Sequence, residues 1–277
     1  MTLFEALTAA RQKIDWLDAR LLLQYATGCS HTDLLARPET PVIAPAYAQF
    51  VEWVERRAAG EPLAYLVGEA EFRGRVFQVS PAVLIPRPET EVLIELALEK
   101  LQGLSAPKVL DLGTGSGIVA ISLALECPAA TVVAVDLSNE AIFVARNNAG
   151  RLEAKIEFRQ SDWFSALAGQ SFDLIVSNPP YVAEGDPHLE LDGLPFEPRL
   201  ALTDQVTDGD GLACIRQIVG AAPGHLRPGG WLLFEHGYDQ GGASRHLLDA
   251  ATLSQVFTRK DLAGIDRVSG GQWVAKG

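Results

Sequence analysis

The chain has 277 residues, 48% hydrophobic and 21% charged, enough to build one large domain or two unequal ones with an ample core and too apolar for disorder. Its 23 Lys and Arg against 35 Asp and Glu leave a net charge of −12 with no basic run, which argues against free DNA or RNA as a partner because nucleic acids are gripped largely through clustered cations. No apolar stretch reaches the 18 residues of a membrane span and no secretory leader opens the chain, so a cytoplasmic protein with no membrane partner is expected.

From residue 1 to about 73 the pattern is helical. "LFEALTAARQKI" is one helix, "DWLDARLLLQYATG" a second with Asp15 as cap and Gly28 as stop, and "PAYAQFVEWVERRAAG" a third opened by Pro45 and closed near Gly60. Arg56 and Arg57 in the third read as a solvated helix face rather than a basic patch. "FRGRVFQVSPAVLIPR" then alternates and carries Gly74 and Pro81, which predicts a β-hairpin linker over 74–87.

Beyond residue 88 strand-like and helix-like segments alternate. "KVLDLG", "TVVAVDL", "KIEFRQS", "FDLIVSN" and "GWLLFEHG" are the strands, with "TEVLIELALEKL" and "GIVAISLALEC" as helices, predicting an α/β domain over 88–277 built on a doubly wound parallel sheet. "QVFTRKDL" and "DRVSGGQWVAKG" predict a final antiparallel pair, with Gly270, Gly271 and Gln272 as a turn before the last strand. The segment from Pro179 to about Gly211 shows little regular pattern, and connections of that length are usually functional or mobile.

Two motifs carry chemistry. "VLDLGTGSG" is a strand, a glycine loop and a helix start, which lets backbone approach a ligand, and Asp136 at the end of the next strand can accept both hydroxyls of a ribose. Gly115, Gly117 and Ala120 also fit the dinucleotide fingerprint, so an NAD-dependent dehydrogenase is one reading. Asp111 just before the loop favours a cationic ligand over a pyrophosphate, and S-adenosylmethionine has a ribose, an ammonium and a sulfonium. The second motif is "NPPY". Pro179 and Pro180 cannot join a sheet ladder, so Asn178 stands at a strand tip on stiff backbone, beside the Pro179 carbonyl and the Tyr181 ring. Two acceptors and an aromatic face suit a planar NH2 group. The three cysteines and five histidines show no metal-ligand spacing, and no metal is expected.

With "ARLLL", "RRAAGEPLAYLVGEAEFRG", "LIPRPETE", "FEPRLAL" and "DGLACIRQI", these motifs resemble the bacterial release-factor glutamine methyltransferases (the PrmC/HemK family) over nearly the whole chain. "NPPY" alone is shared with amino methyltransferases of DNA and ribosomal RNA, which stand as the other alternative. The resemblance implies a helical N-terminal substrate-docking domain over 1–73, a hairpin linker and a Rossmann-like seven-stranded methyltransferase domain. It implies that Asp111, Gly113, Thr114, Gly115, Ser116, Gly117, Asp136, Leu137, Asp162, Trp163 and Asn178 bind S-adenosylmethionine, with Trp163 against the adenine. Asn178, Pro179, Pro180, Tyr181 and Arg87 would hold the glutamine of a release-factor Gly-Gly-Gln loop, with Asn178, Pro179 and Tyr181 catalytic. Arg87 and Glu89 read equally as a helix-start ion pair or as channel lining. Glu197 and Glu235 are unranked proton acceptors for which a surface or capping role is the simpler expectation.

Overall fold

The computed structural model describes residues 1–207 and 209–274, which fall into two compact units. The smaller comprises residues 1–69 with 190–196. It is built from α1 (Leu3–Ala10), α2 (Trp16–Thr27), α3 (His31–Ala36), α4 (Ala44–Ala58) and α5 (Leu63–Val67) around Leu3, Leu22, Leu23 and Phe50. Asp15 accepts from the Leu17 N–H to open α2, and Gly28 closes it at φ 72°, the left-handed region that glycine enters without steric cost. α3 escapes pattern reading because six residues are too few for a period, yet Ser30 and Asp33 form a reciprocal capping box around its first turn. Arg56 bonds Glu52 and Glu61, and Arg57 bonds Asp18. Both guanidinium groups are thus neutralised by carboxylates rather than offered as a cationic surface.

The larger unit, residues 70–189 and 197–277, opens with a hairpin of β1 (Glu69–Phe72) and β2 (Arg75–Gln78) turned at Arg73 and Gly74, both at positive φ. The hairpin lies earlier than the segment 74–87 assigned to it, because Pro81 and Pro86 lack the N–H groups a ladder through 79–87 would use. Then come α6 (Thr90–Leu101), β3 (Lys108–Leu112), α7 (Ile118–Glu126), β4 (Thr131–Asp136), α8 (Asn139–Arg151), β5 (Ile156–Gln160) and β6 (Phe172–Ser177). After β7 (Val182–Glu184), α9 (Arg199–Leu202), β8 (Thr203–Thr207) and α10 (Ala213–Ala221) the chain forms β9 (Leu226–Glu235), α11 (Gly241–Ala250), β10 (Ser254–Lys260) and β11 (Asp266–Gln272). The segment 179–207 is therefore more ordered than its sequence suggests, with β7 and β8 paired in parallel.

The central sheet has seven strands in the order β10-β11-β9-β6-β3-β4-β5. The five strands from β9 to β5 run parallel, and β11 is antiparallel to both neighbours. Helices on both faces bury the parallel strands, so they read as continuous apolar runs such as "VVAV" and "LIV". Gly270, Gly271 and Gln272 lie inside β11, paired with Leu233, Leu232 and Trp231, and do not form the expected turn. Packing explains the glycines: a Cβ on Gly270 would run into Leu233, and one on Gly271 would stand 2.9 Å from Leu253 Cβ. Among the described residues no helix is long and apolar enough to cross a membrane.

Candidate active site at the strand tips

Register places the functional side chains. Leu112 of β3 pairs with Val135 of β4 on one side and Ser177 of β6 on the other, while Ser177 pairs with Phe234 of β9. One residue further along, Glu235, Asn178, Gly113 and Asp136 therefore stand side by side at the C-terminal edge. After β3 the strand order departs in one direction and after β6 in the other, so the crevice opens where α/β sheets characteristically bind ligands. The Ser177 hydroxyl donates to the Leu112 carbonyl at 2.8 Å and ties the two tips together.

A cavity of about 310 Å³ opens there. Of the sequence-predicted residues, Arg87, Asp111, Gly113, Thr114, Gly115, Ser116, Asp136, Leu137, Asp162, Trp163, Asn178 and Pro180 line it. Gly117, Pro179 and Tyr181 do not. Gly117 caps α7 at φ 87°, where a Cβ would sit 3.0 Å from Ile121 Cδ1 and 3.2 Å from Ala145 Cβ, so its visible task is close packing of α7 on α8. Pro179 is buried, and Tyr181 is half-buried against the core, its hydroxyl donating to Glu235 at 3.1 Å.

Asp136 accepts from the Gly115 N–H through one carboxylate oxygen and from the Ser138 N–H through the other, both at 2.9 Å. Each oxygen keeps a lone pair, enough for two vicinal hydroxyls. Burial raises the Asp136 carboxyl above the ordinary range, opposed by these backbone bonds. Asp111 is 1% exposed and accepts from the Thr114 hydroxyl at 2.7 Å and the Ala120 N–H at 3.2 Å. Burial pushes its carboxyl up to about 7. Trp163 holds φ 43°, an unusual conformation for a bulky residue, and the Ser161 hydroxyl locks it by donating to the Trp163 carbonyl at 2.8 Å. Its ring reaches the glycine loop, 3.7 Å from where a Gly113 Cβ would stand. Among the described residues Arg87 is the one basic residue of the lining, against Asp111, Asp136, Asp162 and Asp204. A diol acceptor, a ring wall and an acidic balance suit a cationic nucleoside better than a pyrophosphate.

The Asp111 carboxyl yields a pH-dependent expectation. Its native pKa of about 7 lies above the usual 3.8, so between those values the native state binds the extra proton, and stability from this group falls as pH rises through that window and levels off above it. Asp111→Asn, whose amide oxygen can still accept from Thr114 and Ala120, is expected to stabilise the ligand-free protein by on the order of 1–3 kcal/mol at pH 8 and little at pH 4. Urea unfolding of both proteins at the two pH values checks this, and an equal offset at both would contradict it.

Several participants carry no sequence signal. Asn148, fully buried on α8, bonds the Gln78 N–H and C=O and the Ser116 carbonyl, fastening hairpin and glycine loop to one amide. Gln240 donates to the carbonyls of Tyr181 and Asp210, and Gly211 approaches the Tyr181 carbonyl so closely that any Cβ would collide with it. Glu197 is buried, accepts the Ile85 N–H at 2.9 Å and pairs with Arg87, so Arg87 lines the cavity and its ion pair is with Glu197, not Glu89. Glu235, 1% exposed, accepts from Thr90 Oγ1 at 2.8 Å as well as from Tyr181. Its carboxyl is pushed up to about 7 by burial, opposed by these bonds and by Arg267. The surface or capping role expected for these two glutamates is replaced by burial at the site.

The chain is similar to known proteins. A family model described as the methyltransferase small domain matches residues 89–192, and one described as the PrmC N-terminal domain matches residues 3–68. A Bordetella pertussis protein named release factor glutamine methyltransferase is 52% identical over 256 residues, 92% of this chain and 94% of that one. A Burkholderia pseudomallei protein of the same name is 51% identical over 266 residues, 94% and 92% of the two chains. Among solved structures, a T. thermophilus 16S rRNA methyltransferase in complex with AdoMet and guanosine aligns with a TM-score of 0.55 at 23% identity, over 74% of this chain and 49% of that one, a likeness of fold.

Proposed function

The chain belongs to the release factor glutamine methyltransferases, and from that membership we propose that its cavity holds S-adenosylmethionine beside the side-chain amide of the glutamine in a release-factor Gly-Gly-Gln loop. It is a protein-glutamine N-methyltransferase. The observation that carries the detailed reading is the row of strand tips, which sets the Asp136 carboxylate, the glycine loop and Asn178 along one cavity. S-Adenosylmethionine, when bound, supplies a methyl group on a positively charged sulfur. Asp136 would take the ribose hydroxyls, Leu137 and Trp163 would flank the adenine, and the acidic lining would favour the cationic end.

An amide nitrogen is a poor nucleophile because its lone pair is delocalised, and full loss of conjugation costs about 18–20 kcal/mol. Asn178 Oδ1 and the Pro179 carbonyl would accept the two N–H bonds of the substrate amide and aim its nitrogen at the methyl group. Such positioning contributes roughly 7–11 kcal/mol when the near-attack geometry is well held. Both hydrogen bonds strengthen as the nitrogen gains positive charge, so stabilisation is selective for the transition state. Tyr181, fixed through its hydroxyl, would close the amide pocket from the far side of the proline pair. Neither Glu197 nor Glu235 lines the cavity, so the proton released after transfer would leave to water.

A lone glutamine offers too little area for specificity, and the helical N-terminal domain, residues 1–73, would supply the rest by docking the release factor. A release factor as substrate would also put the enzyme in the cytoplasm. The test is transfer of labelled methyl from S-adenosylmethionine to purified unmodified release factor, with mass mapping of the Gly-Gly-Gln loop and ribosomal RNA as control. Label on that glutamine is expected; label on RNA alone would replace the proposed substrate.

A further inference from the structure

The polarity of one buried hydrogen-bond chain determines which way the Asn178 amide faces. Above about pH 7 Glu235 is a carboxylate with no proton to give, so the Thr90 hydroxyl donates to it, at 2.8 Å. With its single proton so committed, Thr90 Oγ1 meets other groups only as an acceptor, and it accepts from Asn178 Nδ2 at 3.2 Å. The other oxygen of Glu235 accepts a hydrogen bond from the Tyr181 hydroxyl at 3.1 Å. Thr90 is fully buried and Glu235 nearly so, and buried polar groups keep their partners because an unpaired one is costly.

We propose that Thr90 and Glu235 are positioning residues for methyl transfer: they hold the Asn178 NH2 group on Thr90 and so leave Oδ1 as the face presented to the substrate amide. This rests on the reading of Asn178 given above and adds what orients it. An asparagine amide is nearly symmetric in shape, and in the flipped orientation its NH2 would confront the substrate NH2, donor against donor. Sequence position and motif cannot distinguish the two faces; the acceptor-only carboxylate does. The same carboxylate anchors the Tyr181 hydroxyl, so one group orients the asparagine and the tyrosine on either side of Pro179 and Pro180. Arg267, on β11, and Glu89, before α6, also act on the Glu235 charge, the first favouring and the second opposing it.

The test compares kcat and KM for release factor and for S-adenosylmethionine in wild type, Thr90→Val, Thr90→Ser, Glu235→Gln, Asn178→Ala and the Asn178→Ala/Thr90→Val double variant. Thr90→Val keeps the shape but removes the acceptor, and it is expected to lower kcat by about tenfold, the equivalent of one ordinary hydrogen bond, with the cofactor KM unchanged. Thr90→Ser should restore most of that rate. Glu235→Gln offers one acceptor oxygen to two hydroxyl donors and should also lower kcat, which keeps the test open if the valine variant folds poorly. In the Asn178→Ala background Thr90→Val should have no further effect, since no amide remains to orient. A valine variant at wild-type rate, or one that lowers Asn178→Ala by the same factor again, would overturn the relay alone. Near-wild-type turnover in Asn178→Ala would overturn the reading of Asn178 and the relay with it.

Discussion

Asn178→Ala is expected to lower turnover by about 10²–10³-fold, the range seen when one preorganised transition-state hydrogen bond is removed, with S-adenosylmethionine affinity nearly unchanged. The asymmetry follows from position. Asn178 stands at the tip of β6, and the glycine loop and Asp136 stand at the tips of β3 and β4, so truncation removes an acceptor from the reacting amide without touching the diol acceptor. The loss should appear in kcat, because the bond to the substrate N–H strengthens as charge develops and contributes less in the ground state. Neighbouring backbone should stay in place. Pro179 and Pro180 fix their own φ angles, Ser177 remains bonded to Leu112, and Gln240 still holds the Tyr181 carbonyl. Single-turnover transfer to release factor, alongside calorimetric titration with S-adenosylmethionine, separates the two quantities. Turnover within a few-fold of wild type would remove Asn178 from the chemistry.

Much of this arrangement is legible in the sequence because it resides in local chemistry. "FDLIVSNPPY" must end a strand where two prolines begin, and "VLDLGTGSG" must leave a strand through glycines. The strand-ending acid Asp136 follows from the same alternation of strand and helix. Relations between distant segments are a different matter. That Asn178 neighbours Gly113 depends on Ser177 pairing with Leu112, and that Glu235 neighbours Asn178 depends on Phe234 pairing with Ser177. Neither pairing is written in either segment alone.

The misread residues and the missed Asn148 share a cause. Glu197, Glu235 and Asn148 are residue types that usually face water, and only the folded chain shows that each is buried with its hydrogen bonds satisfied. Gly270 and Gly271 resemble turn glycines, but they are strand residues whose missing side chains make room for Leu233 and Leu253. Arg87 lies two residues from Glu89, a plausible partner on paper, and pairs instead with Glu197 on a segment far along the chain. Short-range spacing has no access to such partners.

Asp136→Ala is expected to do the reverse of Asn178→Ala, weakening S-adenosylmethionine binding by roughly 10²–10⁴-fold, since each hydrogen bond to a charged group contributes about 1.5–3 kcal/mol and two hydroxyls are at stake. Part of that loss has a second origin. Asp136 also accepts the Gly115 and Ser138 N–H groups, so alanine leaves two backbone donors of the site without their carboxylate and loosens the loop that shapes the cavity. Asp136→Asn separates the contributions: its amide oxygen still accepts, but the charge and one acceptor are gone, so a smaller loss, nearer tenfold, is expected. Calorimetric titration of the three proteins with S-adenosylmethionine and with S-adenosylhomocysteine, which lacks the sulfonium charge, completes the argument. The penalty should be similar for both ligands, because Asp136 meets the ribose they share; a penalty confined to S-adenosylmethionine would mean that the carboxylate acts on the cation, and the ribose assignment would fall.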